Sequence, residues 1–169
     1  RKPGLHLCEA SVIEVAPGTL AAFHRENTGI GLDCFKTISR DNGETWSEPI
    51  PFPLPACHRP VAGFLLDGRI MITFRFMQGG KGWLGSWTQN FFAALTDADS
   101  ALAPDRGGAW TRIMPIDFDR SPKSDLGYSG WVQFADGEIY IVSYIVDDWP
   151  RGQIRGYSLR PDAFLLPSD

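Results

Sequence analysis

Three stretches of this chain repeat one pattern, and the repeat restricts the fold more than any other feature. Cys8 to Arg25 reads CEASVIEVAPGTLAAFHR, Cys57 to Arg75 reads CHRPVAGFLLDGRIMITFR, and Leu126 to Tyr144 reads LGYSGWVQFADGEIYIVSY. Each is an apolar strand, a short turn ending in glycine (Gly18, Gly68, Gly137), and a second apolar strand. Asp67-Gly68 and Asp136-Gly137 are hairpin signals, because glycine accepts the positive φ that tight hairpin turns need. Further strands follow each hairpin: GLDCFKTIS (Gly31 to Ser39), NFFAALTDA (Asn90 to Ala98) and QIRGYSLR (Gln153 to Arg160). The unit is a meander of about four strands returning roughly every 50 to 70 residues, the pattern of propeller blades. The expected fold is therefore all-β, a β-propeller with about three blades present, over units 8–56, 57–116 and 125–169. The second unit is lengthened by MQGGKGWLGSWTQ (Met77 to Gln89), a Gly- and Trp-rich insertion carrying Trp83 and Trp87. No helix of ordinary length is expected.

Composition removes several partners. The 169 residues carry a net charge of -4, so no basic footprint points to nucleic acid or an anionic membrane. No apolar run approaches the roughly 20 residues of a membrane helix. Cys8, Cys34 and Cys57 are an odd set without paired spacing and read as thiols, not as a disulfide framework or zinc site. No metal or cofactor is expected. The chain opens on RKPGLHLCEA with no initiator Met, and its compartment is left open.

The octapeptide SRDNGETW, residues 39–46, packs Ser39, Asp41, Gly43, Thr45 and Trp46 into one turn. The Asp41 carboxylate can accept backbone N–H groups of the turn. Gly43 supplies the left-handed residue, and Trp46 folds back over the turn. The whole stretch reads as structural, not catalytic. GGAWTRI (Gly107 to Ile113) is a degraded copy that keeps Gly108, Trp110 and Thr111 without a well-placed Asp.

SRDNGETW matches the Asp-box, S-x-D-x-G-x-T-W, at all five fixed positions. With the strand pair before it and SEP after it, the chain resembles the bacterial BNR-repeat, sialidase-like propellers. That resemblance implies a six-bladed propeller with Asp-boxes at the rim and the active site at the central funnel. It also implies arginines gripping a substrate carboxylate, a Tyr nucleophile paired with a Glu, and an Asp acid/base. Arg75, closing ITFR, resembles a triad arginine, and Arg25, closing AFHR, holds the equivalent place one unit earlier. Tyr128, in DLGYSG, resembles the nucleophile segment. The family's early acid/base Asp and one early Arg have no assigned counterpart here.

The residues alone point to the same place. Each first strand begins with polar groups: Glu9, then His58 and Arg59, then Asp125 and Tyr128. In a propeller the inner strands start near the central funnel, where such ends converge. Arg25, Arg75, Glu9 and Arg59 are candidate substrate contacts, since a guanidinium fork binds a carboxylate bidentately. The alternative for Arg25 is a structural pair with Glu9 or Glu26. Tyr128, Asp125 and His58 are the candidates for nucleophile, acid/base and proton acceptor, and Trp83 and Trp87 for stacking on sugar rings. Three functions fit: a sialidase-type glycoside hydrolase on an anionic sugar, a non-catalytic glycan-binding module, or a uronate polysaccharide lyase using His58 and Tyr128 as base and acid. The expected partner is carbohydrate. Three blades do not close a ring, so the rest of a propeller or a second copy of the chain is expected alongside.

Overall fold

The computed structural model describes residues 4–30, 32–78, 88–147 and 151–165. Trp83 and Trp87 lie outside them. The chain forms three antiparallel meanders. The first is β1 (Leu7–Ala16), β2 (Thr19–Glu26), β3 (Asp33–Ser39) and β4 (Ile50–Pro55). The second is β5 (Cys57–Phe64), β6 (Ile70–Gln78), β7 (Thr88–Thr96) and β8 (Arg112–Phe118). The third is β9 (Gly130–Gln133), β10 (Ile139–Ile145) and β11 (Gln153–Leu159). Among the described residues, helix is confined to α1 (Ala98–Leu102) and one 3-10 turn, Pro161–Phe164.

The pleat explains how the sheets stack. Successive side chains of a strand point to opposite faces. On β6, Ile70, Ile72 and Phe74 join Phe23, Phe52 and Leu54 in the core between the first and second sheets. Met71, one position out of phase, joins Phe91, Leu95, Ile139 and Ile141 in the core between the second and third. The second sheet is thus buried on both faces, which is why IMITF is apolar but for Thr73, whose buried hydroxyl is paired with Ser129 Oγ at 2.9 Å. The third sheet is covered on one face only: Ile139, Ile141 and Ile145 are buried, while Tyr140 and Val142 are exposed.

The first strands of the three meanders lie side by side. Ala62 N donates to Ser11 Oγ across β1 and β5 (2.9 Å), and Trp131 Nε1 donates to Val61 O across β9 and β5 (3.1 Å). Their N-terminal ends therefore meet at one end of the molecule.

The SRDNGETW turn sits at the opposite end. Asp41 Oδ1 accepts from Ser39 Oγ (2.7 Å) and Thr45 N (2.9 Å), and Oδ2 accepts from Thr45 Oγ1 (2.5 Å). Gly43 takes φ +94°, and Trp46 Nε1 donates to Gly43 O at 3.0 Å. The turn is self-contained. The Thr45 hydroxyl first, then the backbone and Ser39 bonds, pull the Asp41 carboxyl down to about 2. Asp41→Ala is expected to lower the melting temperature by several degrees at neutral pH. The gap between parent and variant should close as pH falls from the ordinary carboxylate range through about 2, because the stabilisation belongs to the ionised form. Thermal melts across that range check it.

The degraded copy has no Asp of its own and takes its carboxylates from outside its sequence. Asp97, the N-cap of α1, accepts from Ser100 N (2.8 Å) and from Trp110 Nε1 (3.0 Å), while Gly108 N donates to Asp105 (2.9 Å).

Lys36 is a buried charge with no ion pair among the described residues. Lys36 on β3 is fully enclosed, its Nζ donating to Ser100 O at 2.6 Å and lying 5.2 Å from the Phe52 ring centroid. Burial pushes its amine down to about 8, against the pull of Asp105 and Cys34. The unfolded chain keeps the ordinary value of 10.5, so between the two it binds more protons than the fold, and stability from this residue rises with pH. Lys36→Met should stabilise the fold by about 1–2 kcal/mol at pH 7. Urea melts at higher pH should show that advantage shrinking as the native lysine neutralises.

Candidate active site at the strand ends

Glu9, at the start of β1, takes φ +38° at a register shift between Cys8 and Ala10. Arg59 takes φ +51° within the shift between His58 and Val61. Gly127, just before β9, takes φ +94°. The same bulge thus recurs at each strand entry and aims the neighbouring side chains at the shared end of the sheets. Two of the three are non-glycine residues in the left-handed region, a strain that persists only where the surroundings enforce it.

These residues form one cluster. Tyr128 Oη donates to Glu9 Oε1 at 2.7 Å, and Arg25 Nη1 donates to Glu9 Oε2 at 2.6 Å and to Tyr128 Oη at 3.1 Å. Asn27 Oδ1 holds the other end of Arg25 at 2.7 Å. The Tyr128 ring lies 4.7 Å from the Arg75 guanidinium and 5.4 Å from that of Arg59. Arg75, 6% exposed, donates through Nε to Leu126 O (2.5 Å) and through Nη2 to Asp125 Oδ1 (3.0 Å) and Tyr144 Oη (2.6 Å). Tyr144 Oη in turn donates to Asp125 Oδ1 at 2.6 Å.

The electrostatics follow from these contacts. Burial works to raise the Glu9 carboxyl, but the bonds from Arg25 and Tyr128 outweigh it, so Glu9 lies below the ordinary carboxylate range. Burial and the bond to Glu9 raise the Tyr128 phenol against the opposing pull of Arg25 and Arg75. The resting pair is a phenol donating to a carboxylate. Burial, then the bond to Asp125, pushes Tyr144 up to about 12. His58 stands opposite Arg75 in the β5–β6 register and is 6% exposed. Burial, then Arg25 and Arg75, pushes it down to about 4, and its Nδ1 has no hydrogen-bond partner among the described residues. It is a neutral imidazole at pH 7.

The sequence-level candidates Glu9, Arg25, Arg59, Arg75, Asp125 and Tyr128 thus come together, with His58 beneath them. The two carboxylates have defined partners. Both Glu9 oxygens accept bonds, from Arg25 and from Tyr128, which ties Glu9 to those two side chains. Asp125, the acid/base candidate, is the ion-pair partner of Arg75. Tyr144 and Asn27 were missed. Tyr144 was readable: it closes the third repeat where Arg25 and Arg75 close the first two. Asn27 carried no signal beyond following Arg25 by two residues.

No family model matches the sequence, and no curated protein matches it significantly. Solved structures do. A protein of unknown function from Dyadobacter fermentans DSM 18053 superposes with a TM-score of 0.74 at 24% identity, over 95% of this chain and 40% of that one. An ulvan lyase of polysaccharide lyase family PL25, bound to -[GlcA(1-4)Rha3S]-, superposes at 0.59 and 16% identity, over 90% of this chain and 41% of that one. The GH93 α-L-arabinofuranosidase of Fusarium graminearum with arabinobiose gives 0.52 and 8%, over 94% and 59%. At these identities the likeness is one of fold. The chain spans about two fifths of the length of the first two.

Proposed function

We propose that this chain is part of a sialidase-type β-propeller and contributes the nucleophile side of a glycoside hydrolase site for an anionic sugar. The single observation that carries this reading is the 2.7 Å hydrogen bond from Tyr128 Oη to Glu9 Oε1 beneath a set of guanidinium groups. A phenol is a poor nucleophile at its ordinary pKa of about 10 unless a base takes its proton during attack. Glu9 is placed to do so, and a carboxylate kept ionised by Arg25 is ready at neutral pH. In this scheme Tyr128 Oη bonds to the anomeric carbon as the bond to the leaving oxygen breaks, and the phenolic proton passes to Glu9. Water then cleaves the glycosyl–tyrosine bond, and the proton returns. Arg25, Arg59 and Arg75 offset the sugar's negative charge. The Asp125 oxygen that accepts from Arg75 and Tyr144 suits orientation better than proton donation. An aryl leaving group, which departs without full protonation, is therefore the sensitive probe.

The superposed lyase and arabinofuranosidase, both carbohydrate-active by name, support a glycan ligand. One observation favours a second reading. A neutral His58 with an unpartnered Nδ1 fits a uronate lyase in which His58 takes a proton and Tyr128 gives one. Incubation with an aryl sialoside, other aryl glycosides and uronate polymers separates the cases. Release of aryl alcohol from the sialoside supports the hydrolase. Unsaturated products from the polymer support the lyase. Saturable binding with no product supports a glycan-binding module.

A further inference from the structure

The Asp-box turn leaves one part of its surface unexplained. Between it and the loop after α1 lies a cleft of about 400 Å³. Ile38, Leu102 and Pro104 line it with apolar surface, and Trp46, Thr45 and Arg40 also line it. The cleft is far from the strand-end cluster. The turn grows from Ser39, which pairs with Leu20, whereas Arg25 lies five residues further along β2. At roughly 3.3 Å per residue, that is about 17 Å.

We propose that this cleft is a second carbohydrate site, taking one ring of an anionic oligosaccharide. Three features select that ligand. The bond from Trp46 Nε1 to Gly43 O fixes the indole plane, yet the residue stays 41% exposed. A rigid, half-open indole over an apolar floor suits the C–H face of a pyranose, with little ordering cost on binding. Second, Arg40 has no hydrogen bond or ion pair with any described residue, whereas Arg69, Arg106, Arg120, Arg155 and Arg160 are all ion-paired. A free planar fork at the mouth of the cleft matches a carboxylate or sulfate on the sugar. Third, Asp41 is held within the turn by Ser39 and Thr45 and makes no ion pair with Arg40, so the Arg40 fork is left for a ligand. The site stands on its own residues and does not depend on turnover at Tyr128.

The test is titration of the ¹⁵N-labelled chain with an oligogalacturonate and, in parallel, with a neutral maltooligosaccharide of the same length. The expected result is a saturable shift of the Trp46 indole N–H with the acidic sugar and a much weaker one with the neutral sugar. Arg40→Ala should weaken oligogalacturonate about 10-fold, the loss of a charge-assisted contact. It should leave the melting temperature and any turnover of a small aryl glycoside unchanged. A Trp46 indole signal that stays in place, equal affinity for the two sugars, or an Arg40→Ala variant that binds as tightly as the parent would each overturn the proposal. None of these outcomes bears on the strand-end site, which the aryl-glycoside panel tests separately.

Discussion

Tyr128→Phe is expected to lower kcat by about 10³-fold or more while leaving sugar affinity and the melting temperature nearly unchanged. The asymmetry follows from what the hydroxyl does. Phenylalanine keeps the ring between the Arg59 and Arg75 guanidinium groups. Glu9 and Arg25 still hold each other at 2.6 Å, so no charge is left unpaired. Only the attacking oxygen is gone. Glu9→Gln should lose turnover too, but with a different pH signature in the parent. Because Glu9 is held below the ordinary carboxylate range, activity should persist below that range and fall as pH drops through the lowered value. The Tyr128 phenol, raised by burial and its bond to Glu9, should not limit the rate until well into alkaline pH. Steady-state kinetics on an activated aryl sialoside from acid to alkaline pH measures both variants against the parent.

Gly127→Ala is expected to cost about 2–4 kcal/mol, the largest loss of stability from adding a single methyl at this site. Gly127 sits at φ +94°, where a side chain is disfavoured in any surroundings. An added Cβ would also lie 2.9 Å from Arg75 Cβ and 3.1 Å from Arg75 Cα. Neither atom is the free end of a side chain, so β6 or the strand-entry bulge must move. Movement there disturbs the bonds from Arg75 to Leu126 O, Asp125 and Tyr144. The variant should therefore lose stability and ligand affinity together, unlike Tyr128→Phe. Urea denaturation paired with sugar titration separates the two patterns.

The parts of this molecule that were legible in its sequence are those set by local chemistry. The apolar run IMITF, the glycines at 18, 68 and 137, and the five fixed residues of SRDNGETW each act within a strand or turn. They return as β6, three hairpins and a closed Asp41 turn. Convergence of the polar strand starts was legible too, because the hairpins repeat and so do their ends. What was hidden depends on register between sheets. Glu9 and Tyr128 are 119 positions apart, and only stacking of the first and third meanders around the second makes them partners. The positive φ at Glu9 and Arg59 carries no glycine to announce it. Asp97 repairs the second Asp-box-like turn from across α1, outside any motif window.

The central claim is that Tyr128, activated by Glu9, bonds covalently to an anionic sugar. Its most direct test is to incubate the protein with a fluorinated, activated sialoside that slows release of the sugar, then to map the modified peptide by mass spectrometry. The account predicts one added sugar, attached to Tyr128 in the peptide spanning DLGYSG, and none on Tyr128→Phe. A label on Glu9 or Asp125, or turnover of the parent sialoside with no trapped adduct on Tyr128, would contradict it.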